Sequence, residues 1–439
     1  MARSGNSSLL VWTTNEVKSP GACQFYRINT PLNKMFDMFG VQSYEDKGEN
    51  PKESLAAMFH SDIIQYYSLA GESILHRIKT VNGMAPAEKD GVLKVPPAFI
   101  YDTDDNADFV HPFNPTFALL GVRAYPDAHL LKPGDCLVWD NDVQRGLGCW
   151  FDQETKSGPT LFDIARNLHQ MKVRHEIIRA CDGATVSTPA LADYFREVVG
   201  QKNVYVYPNT IVPEDYPTFS HGRFVKNDPD EVRILWQGSQ SHFVDWYPLR
   251  HAIREVALKY PKVKWVIFGE YFPFVKDAIP PEQIEHHNWV DYPAYKLYRT
   301  ILNADINLCP LVDNAFNRCK SAIKWYEAAI MPAPEATLAQ NTAPYQEIED
   351  GVTGLLFSTP EEFVRKLSLL IEDAQLRTTL GHNAREWVMN NRLPEHTIPG
   401  LVEFYEDVRT SQKRRRTGSK SLIIPGTNQD LKRLARERG

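Results

Sequence analysis

The sequence lacks any long apolar run. No stretch approaches the roughly 18 consecutive apolar residues that a membrane-spanning helix needs, and the apolar part of the N-terminal MARSGNSSLLVWTTNE is too short for a secretory signal. We therefore expect a cytoplasmic protein. With 439 residues, of which 43% are hydrophobic and 24% charged, the chain is long enough for two packed domains of roughly 200 residues each.

Cysteine is scarce and widely spaced. The six cysteines form no CxxC pair and no close pairing with histidine of the kind that binds zinc; they are Cys23, Cys136, Cys149, Cys181, Cys309 and Cys319. The pattern favours buried free thiols. Neither a structural zinc ion nor a disulfide framework is expected.

Charge is distributed unevenly along the chain. The formal net charge is −6, but the segment 411–439 holds nine Lys or Arg against two acids and carries +7, which leaves −13 on the rest. This basic segment predicts contact with a polyanion. Its partner is either DNA, whose phosphates bind cations without regard to base sequence, or an anionic membrane surface.

Apolar strand patterns alternate with helical patterns through most of the chain. Examples are SLLVWTT, SDIIQYY, PAFIYD and NVYVYPN in the first half, and VRILWQGS, KVKWVIFGE and ADINLCPL in the second. Such alternation is typical of parallel sheets that are covered by helices on both faces. It predicts an α/β fold of two Rossmann-like, doubly wound domains that face each other across a cleft.

Interruptions of this alternation predict the domain boundaries. A Pro-, Gly- and aromatic-rich stretch over 106–159 is too long for an ordinary connection and is interpreted as an insertion over the cleft. A long helical region is predicted over 360–391. The predicted segments are an N-terminal domain over 1–212, a linker over 213–230, a C-terminal domain over 231–395, a helix over 396–412 and a basic tail over 413–439.

Polar residues follow the first strand of the C-terminal domain. In ILWQGSQSHFVDW, Gly238 lets the backbone approach a ligand closely and Ser239 offers a hydroxyl, while His242 and Asp245 open the next helix. Strand ends and helix N-termini form anion sites in open parallel sheets, so this turn is a candidate phosphate site. The alternative is an ordinary turn with capping residues.

A cluster of cations follows the strand ADINLCPL. In DNAFNRCKSAIKWYEAA, Arg318, Lys320 and Ser321 are predicted at the start of a helix, where the cations would add to the positive end of the helix dipole. Lys320, Lys324 and Glu327 would share one helical face because they are spaced four and three residues apart. A face made only for solvent has the same pattern.

In combination, these motifs resemble the retaining family-4 glycosyltransferases of the GT-B fold. The pattern KSxxKxxEaa followed by APYxEIxxGxTGLLF is similar to the donor-binding region of that family, and DGATVSTPALADYF followed by VYVYPNTI is similar to the end of its N-terminal domain. The likeness covers about Ile178 to Arg392. The motifs GSxxHxxD, KSxxK and FYRINTP also resemble glycosyltransferases encoded by viruses of bacteria, some of which modify hydroxymethylated pyrimidines in DNA.

The resemblance implies that the C-terminal domain binds a nucleotide sugar, either a UDP- or a GDP-sugar, without a further cofactor. Glu327 matches the second acid of the family's Glu-x7-Glu pair and would bind the ribose hydroxyls, whereas Cys319 replaces the first acid. The implied donor-binding residues are Gly238, Ser239, His242, Arg318, Lys320, Ser321, Lys324 and Glu327.

The resemblance also implies a metal-independent transfer with retention, because cations aimed at the departing diphosphate are the appropriate stabilisers. Family members place acceptor-facing residues after the strand that PAFIYD matches, and a loop near the N-terminus approaches the acceptor and the diphosphate. The implied catalytic residues are Asp104, Asp105, His111 and Lys320. The N-terminal loop SPGACQFYR contributes Ser19, Gly21 and Arg27, without the usual Gly-Gly pair.

Alternatives stay open at this point. YDTDDN places Asp102, Asp104 and Asp105 as in the Asp-x-Asp metal motif of GT-A glycosyltransferases, whose oxygen ligands suit Mg²⁺ or Mn²⁺; two tandem sheets argue against that fold. The favoured acceptor is a hydroxymethylated pyrimidine in DNA, with insertion aromatics such as Phe109 and Trp150 stacking on an extruded base. A glycan, lipid or small-molecule acceptor and a non-catalytic GT-B protein are the alternatives.

Overall fold

The computed structural model describes residues 7–14, 22–46, 51–89, 92–110, 114, 116–122, 150–152, 157–160, 163–217 and 231–418. The chain divides into two compact units, each with its own six-stranded sheet. The first unit comprises Met1–Thr103, Lys172–Thr210 and Pro394–Gly439, and the second comprises Asp104–Met171 and Ile211–Leu393.

The strands are short and occur throughout the described chain. In chain order they are β1 (Leu10–Thr14), β2 (Gln42–Asp46), β3 (Ile63–Tyr67), β4 (Ala87–Lys89), β5 (Val92–Lys94), β6 (Ala98–Thr103), β7 (Trp150–Asp152), β8 (Ser157–Thr160), β9 (Gly183–Val186), β10 (Val204–Val206), β11 (Arg233–Gly238), β12 (Lys264–Gly269), β13 (Ile284–His287), β14 (Ile306–Cys309), β15 (Ala336–Gln340) and β16 (Leu355–Phe357).

Helices connect most of these strands. In chain order they are α1 (Ala22–Gln24), α2 (Thr30–Phe39), α3 (Pro51–His60), α4 (Glu72–Gly83), α5 (Phe117–Leu120), α6 (Ile164–Ala180), α7 (Pro189–Tyr194), α8 (Phe243–Trp246), α9 (Arg250–Lys259), α10 (Pro273–Ala278), α11 (Tyr292–Ile301), α12 (Ile323–Ile330), α13 (Pro360–Glu372), α14 (Ala374–Asn391) and α15 (Pro394–Thr417). In the described residues, no helix combines the length and the apolarity that crossing a membrane requires.

Burial explains which strands are apolar. Every residue of the central strand β6 is buried, and in β11 and β12 only the first residue is partly exposed. Parallel strands that helices cover on both faces read as continuous apolar runs for this reason. The edge strand β2, in contrast, is polar and at least partly exposed along its length.

Local signals set the helix ends. The side chains of Thr188, Asp291, Thr359 and Asp373 each accept a hydrogen bond from a backbone N–H in the first turn of α7, α11, α13 and α14, which satisfies a donor that the helix itself cannot. Gly40 ends α2 in the left-handed conformation, with φ at 72°.

The first sheet has the strand order β10-β9-β6-β3-β1-β2, with parallel pairing throughout. The C-terminal helix α15 belongs to this unit, since its apolar side chains share a core with those of β1, β3 and β6. Ile398, Leu401 and Tyr405 are each at most 2% exposed. The chain therefore completes its first unit with its last described helix.

The second sheet has the order β13-β12-β11-β14-β15-β16 and is also parallel throughout. Counted within the unit, the order is 3-2-1-4-5-6, which is that of the dinucleotide-binding Rossmann fold. The chain reverses its direction of travel across the sheet between β11 and β14. This reversal is the topological switch point of the unit.

The predicted fold class is confirmed, because both units are parallel sheets with helices between the strands. The division of the chain differs from the prediction, which assigned 106–159 to the N-terminal domain. Residues Asp104–Met171 cluster with the second unit. There Val110 and Phe117 pack against Phe316, and Asn106 contacts Cys319, so apolar burial holds the start of this segment.

Two predicted segments also have different bounds. The helical region over 360–391 is two helices, because Asp373 leaves the helical conformation (φ −115°, ψ 95°) and caps α14. The predicted helix over 396–412 is the longer α15, which ends at Thr417 and so includes the first basic residues of the tail. Most of the insertion, the linker beyond residue 217 and the tail beyond residue 418 lie outside the described residues.

Candidate functional site

The switch point of the second sheet is where the predicted donor residues meet. β11 ends at Gly238 and β14 ends at Cys309, one on each side of the reversal. Ligands of open parallel sheets bind outside the carboxyl ends of the strands at such a point. The loops 239–242 and 310–322, which leave the sheet here, carry most of the predicted site.

Two paired glycines at this strand edge leave room for neighbouring rings and backbone. Gly238 lies opposite Gly269 in the β11–β12 pair. A Cβ added at Gly238 would lie 2.7 Å from the Trp236 ring and 3.0 Å from the His242 ring, and one at Gly269, where φ is +113°, would lie 2.5 Å from the carbonyl oxygen of Gly238. Only glycine fits at Gly269 without moving backbone.

Three side chains form a hydrogen-bonded chain beside these glycines. Lys324 Nζ lies 3.3 Å from His242 Nε2, and His242 Nδ1 lies 2.7 Å from Asp245 Oδ2. The other carboxylate oxygen, Asp245 Oδ1, accepts hydrogen bonds from the Val312 backbone N–H at 2.9 Å and from Asn317 Nδ2 at 2.8 Å. Loop 310–322 thus fixes Asp245, which in turn orients His242 towards Lys324.

Burial lowers the pKa of the two bases that are linked by this hydrogen bond, His242 and Lys324. Desolvation, followed by the charge of Lys324, lowers the pKa of His242 from 6.5 to about 4. Desolvation also lowers the pKa of Lys324 from 10.5 to about 8. Strongly shifted pKa values at a strand edge are typical of functional sites. At neutral pH, His242 is therefore neutral and Lys324 is mostly charged.

Lys320 lies at the same edge, although not on the helix. The prediction that a helix begins at Lys320 is wrong: Lys320 has an extended backbone (φ −74°, ψ 162°), and α12 begins at Ile323. Its Nζ lies 3.1 Å from Asp105 Oδ1 and 4.5 Å from the centroid of the Phe316 ring. The structure thus brings two predicted site residues, Lys320 and Asp105, into an ion pair.

The remaining predicted polar residues of the two loops occupy more exposed positions. Arg318 makes a two-pronged ion pair with Asp313, at 2.6 and 2.8 Å, in which both side chains are more than half exposed. The Ser239 hydroxyl lies 2.7 Å from that of Ser241. Ser321, between Lys320 and α12, is partly exposed.

Glu327 is buried rather than open at the edge. Glu327 is 2% exposed, and its carboxylate accepts hydrogen bonds from the hydroxyls of Tyr216 and Tyr295, both at 2.8 Å, and from Gln237 Nε2 at 3.0 Å. The prediction that Glu327 and Lys324 share a face of one helix agrees with their positions in α12. For Glu327 to bind ribose, at least one of these donors must give way.

The predicted N-terminal loop residue Arg27 serves the core of the first unit. Its guanidinium donates to both carboxylate oxygens of Asp102, at 3.0 and 2.8 Å, and both side chains are at most 1% exposed. This burial contradicts the prediction that Arg27 faces a diphosphate. It equally contradicts a metal-binding role for Asp102. Ser19, Gly21 and His111 lie outside the described residues.

Trp289, which belongs to none of the motifs described above, follows β13 at the same sheet edge. Its side chain is 49% exposed, a large fraction for tryptophan. A Cβ built on Gly269 would lie 2.8 Å from the Trp289 ring, so this ring lies over the glycine. An aromatic residue in the otherwise polar segment HHNWVDY is the signal that could have indicated it.

Among the described residues, no three His, Cys, Asp or Glu side chains lie together in a group that could hold a metal ion. Asp104 and Asp105, which follow β6, are both partly exposed, and Asp105 is the residue paired with Lys320.

Two parallel sheets of this topology, the second with a switch-point site, define the GT-B fold. The structure resembles sucrose-phosphate synthase from Thermosynechococcus elongatus, with a TM-score of 0.56 and 11% sequence identity over 92% of this chain and 100% of that chain. HepE from Anabaena, in complex with UDP and glucose, has a TM-score of 0.54 and 10% identity over 91% of this chain and 100% of its own.

A glycosyltransferase from Rickettsia africae is also similar, with a TM-score of 0.52 and 10% identity over 91% of this chain and 98% of its own. No protein-family profile matches the sequence, and no curated protein matches it. The likeness therefore lies in the fold, and the chemistry depends on the residues of the site.

Proposed function

We propose that the protein is a glycosyltransferase whose second unit binds the diphosphate of a nucleotide sugar at the carboxyl ends of β11 and β14. The observation that carries the proposal is the Lys324 amine, which His242 holds next to the end of β11 at Gly238. A cation at the carboxyl ends of parallel strands suits a phosphate group. HepE, which shares the fold, is described in complex with UDP, and this supports a UDP-sugar as donor.

Sugar transfer requires charge to be stabilised on the departing diphosphate. Cations preoriented towards that charge supply much of the rate enhancement in such reactions. Lys324 is held by His242, and Lys320 is held by Asp105, so both are positioned before a donor arrives. The diphosphate would replace Asp105 as the partner of Lys320. Transfer with retention and without a metal ion is part of this proposal.

Trp289 is a candidate platform for the nucleobase. Stacking of a base on an exposed aromatic ring contributes roughly 1–3 kcal/mol. The ring lies over Gly269, whose strand partner is Gly238, so a base on Trp289 and a diphosphate at Gly238 lie along the same strand ends. Every base has a π-face, and this contact therefore does not select between UDP and GDP.

For the acceptor, we propose a hydroxymethylated pyrimidine in DNA. The support is the charge of the sequence, since 411–439 carries +7 while the rest carries −13, and a concentrated basic segment on an acidic protein suits a polyanion. Asp104 or Asp105 is the proposed acceptor base. An uncharged glycan or small-molecule acceptor would leave this charge distribution without a role, and a lipid acceptor, for which the segment would bind an anionic membrane surface, is the alternative.

Donor binding is the direct test. UDP and GDP are titrated calorimetrically into the wild type, Lys324→Met and the control Lys259→Met, whose lysine is half-exposed and pairs with Glu372. We expect Lys324→Met to weaken binding at least tenfold, because removal of a charged hydrogen-bond partner typically costs about 1.5–3 kcal/mol. Equal affinity in all three proteins would reject the site.

Turnover and acceptor are tested next. Donor hydrolysis is measured with a panel of UDP- and GDP-sugars, with and without EDTA, and loss of activity in EDTA would reject the metal-independent reaction. Nucleosides from hydroxymethylated DNA are then analysed by mass after incubation with enzyme and donor. A hexose or pentose mass gain supports the DNA acceptor, whereas no gain across an active donor panel excludes it in favour of another acceptor.

A further inference from the structure

The hydrogen-bonded side chains of Asp245, His242 and Lys324 do more than supply a cation that could bind phosphate. Asp245 is 1% exposed, and its Oδ1 is occupied by the Val312 N–H and by Asn317 Nδ2. Only Oδ2 remains for His242 Nδ1, at 2.7 Å. Because an ionised carboxylate can only accept, the hydrogen of the neutral imidazole lies on Nδ1.

This tautomer leaves the lone pair of His242 Nε2 facing Lys324 Nζ at 3.3 Å. An ammonium group donates a hydrogen bond to that lone pair, and a neutral amine does so as well. Lys324 can therefore gain or lose a proton without breaking its contact with His242. A cation that contacted only a carboxylate would not have this freedom, since it would leave an unpaired buried charge.

The surroundings of Lys324 make its charged and neutral forms similar in free energy near pH 8. Desolvation disfavours the ammonium most strongly and lowers its pKa to about 8. The other groups that act on it come from the end of β14, from α8, from the loop before α12 and from α12 itself; they are Cys309, Asp245, Lys320 and Glu327. Burial raises the pKa of Cys309 to about 11, so this thiol is neutral near pH 8.

We propose that binding of the nucleotide diphosphate draws one proton from solvent onto Lys324, with His242, oriented by Asp245, as the positioning residue that holds the amine in both charge states. This inference rests on the proposed function, because it requires a diphosphate at the switch point. One N–H bond forms, the proton comes from water or buffer, and no other covalent bond changes.

The proposal fixes how binding depends on pH. A dianion beside Lys324 favours the ammonium, so proton uptake equals the fraction of neutral amine in the ligand-free protein. For a pKa of about 8, that fraction is roughly 0.75 at about pH 8.5 and roughly 0.1 at about pH 7. Affinity should fall about tenfold between pH 7 and pH 9. The phosphates themselves are fully ionised over most of this range.

Calorimetry in two buffers measures the proton directly. UDP and GDP are titrated into the full-length protein in Tris and in bicine, which have different protonation enthalpies, at about pH 7 and about pH 8.5. The difference in observed enthalpy between buffers gives the number of protons taken up. We expect roughly 0.75 at the higher pH and close to none at the lower.

Substitutions separate charge, titration and position. Lys324→Arg keeps a cation that does not titrate, so it should bind with a flat pH profile and without proton uptake, and Lys324→Met should bind weakly at every pH.

His242→Gln keeps both hydrogen bonds, whereas His242→Phe removes the contact that holds the amine. We expect the midpoint of the pH profile to move to lower pH in His242→Phe, and to move less in His242→Gln. Lys259→Met is the control.

The outcomes distinguish this inference from the proposed function. Proton uptake that disappears in Lys324→Arg while binding is retained supports both. Binding of UDP or GDP with identical enthalpies in the two buffers and a flat pH profile overturns the proton uptake and leaves the glycosyltransferase proposal standing. A folded wild-type protein that binds neither nucleotide at any pH overturns both. Circular dichroism verifies that each variant is folded.

Discussion

At the residue scale, two pairs of an aspartate with a base show how surroundings determine a role. Arg27 and Asp102 are enclosed in the first unit, and the guanidinium also donates to Tyr207 and Asn209. The Asp245–His242 pair of the second unit is buried on one side only, because its second ring nitrogen meets the partly exposed Lys324 at a strand end. The first pair has no access to a ligand.

Breaking the enclosed pair should therefore destabilise the fold. Arg27→Met leaves the Asp102 carboxylate buried without its cation, which typically costs about 3–5 kcal/mol. Arg196→Met is the matched control, because its pair with Asp193 lies on the surface and such pairs contribute about 0–1 kcal/mol. Urea denaturation measures both. A variant Arg27→Met of unchanged stability that loses UDP binding would restore the ligand role that the sequence predicted.

The imidazole of His242 makes the stability of the fold depend on pH. In the unfolded chain it titrates near pH 6.5, and in the folded chain its pKa is about 4. Between these values the unfolded chain binds more protons, so stability falls as pH drops from 6.5 to 4 and no further loss arises below that window.

His242→Gln should remove this dependence. We expect the variant to lose less stability than the wild type between pH 6.5 and pH 4, by at most about 3 kcal/mol, in denaturation series across that window. His251→Gln is the control, because His251 is exposed on α9. If both variants keep the slope of the wild type, the imidazole of His242 is not the group responsible.

At the element scale, strands with strong apolar patterns were predictable and polar ones were not. The runs that predict β6, β11, β12 and β14 are buried along nearly their whole length, and burial on both faces is what produces such runs. QSYED, which forms the edge strand β2, has no alternation because it is exposed. This segment is a strand because it pairs in parallel with β1, and its own residues show no strand pattern.

The candidate site was predictable in part for the same reason. Gly238, His242 and Lys324 follow strand ends, and strand ends are where ligands of parallel sheets bind. The contacts of Asp245 with Val312 and Asn317 join loops more than sixty residues apart in sequence, and no local pattern encodes them. The start of α12 was misplaced because its first turn is preceded by an extended Lys320.

The helix α12 presents Lys324 and Glu327 one turn apart, and this spacing suits a diphosphate and a ribose only if Glu327 can exchange partners. Glu327 now accepts hydrogen bonds from Tyr216, Tyr295 and Gln237. Glu327→Ala would leave all three donors without this acceptor, so lost binding in that variant could result from misfolding alone.

Tyr216→Phe is the sharper test of the ribose role. It removes one donor from Glu327 Oε1 and keeps the carboxylate, so UDP should bind roughly two- to tenfold more tightly, the gain expected from removing one competing hydrogen bond. Tyr295→Phe is the matched control, because Tyr295 donates to the other oxygen, Oε2. The advantage should vanish for a 2′,3′-dideoxy nucleotide. A gain that persists with this analogue would exclude ribose binding at Glu327.

At the scale of the whole molecule, α15 connects the end of the described chain to the first unit. Arg409 and Lys413 both pair with Asp62, Arg415 pairs with Asp182, and Arg416 donates to the backbone carbonyls at the end of α4. The first basic residues of the predicted tail are therefore structural. Asp62 and Asp182 pair with part of their charge.

A truncation can separate structure from polyanion binding if it begins after α15. Removal of 419–439 deletes five of the nine basic residues of the segment 411–439 and keeps all the described contacts of α15. We expect an unchanged melting temperature. The affinity for DNA should fall, and the slope of log K against log salt should decrease by as much as about four, since each lost phosphate contact removes roughly 0.7–0.9.

The matched variant combines Arg415→Ala with Arg416→Ala. It removes two positive charges from the helix α15 and keeps the segment 419–439. These residues contact Asp182 and the end of α4, so their loss should lower the melting temperature and change the salt slope little. An unchanged salt slope after removal of 419–439 would show that the tail does not bind DNA. We would then expect a glycan, a lipid or a small molecule as acceptor, because the rest of the chain carries a net negative charge.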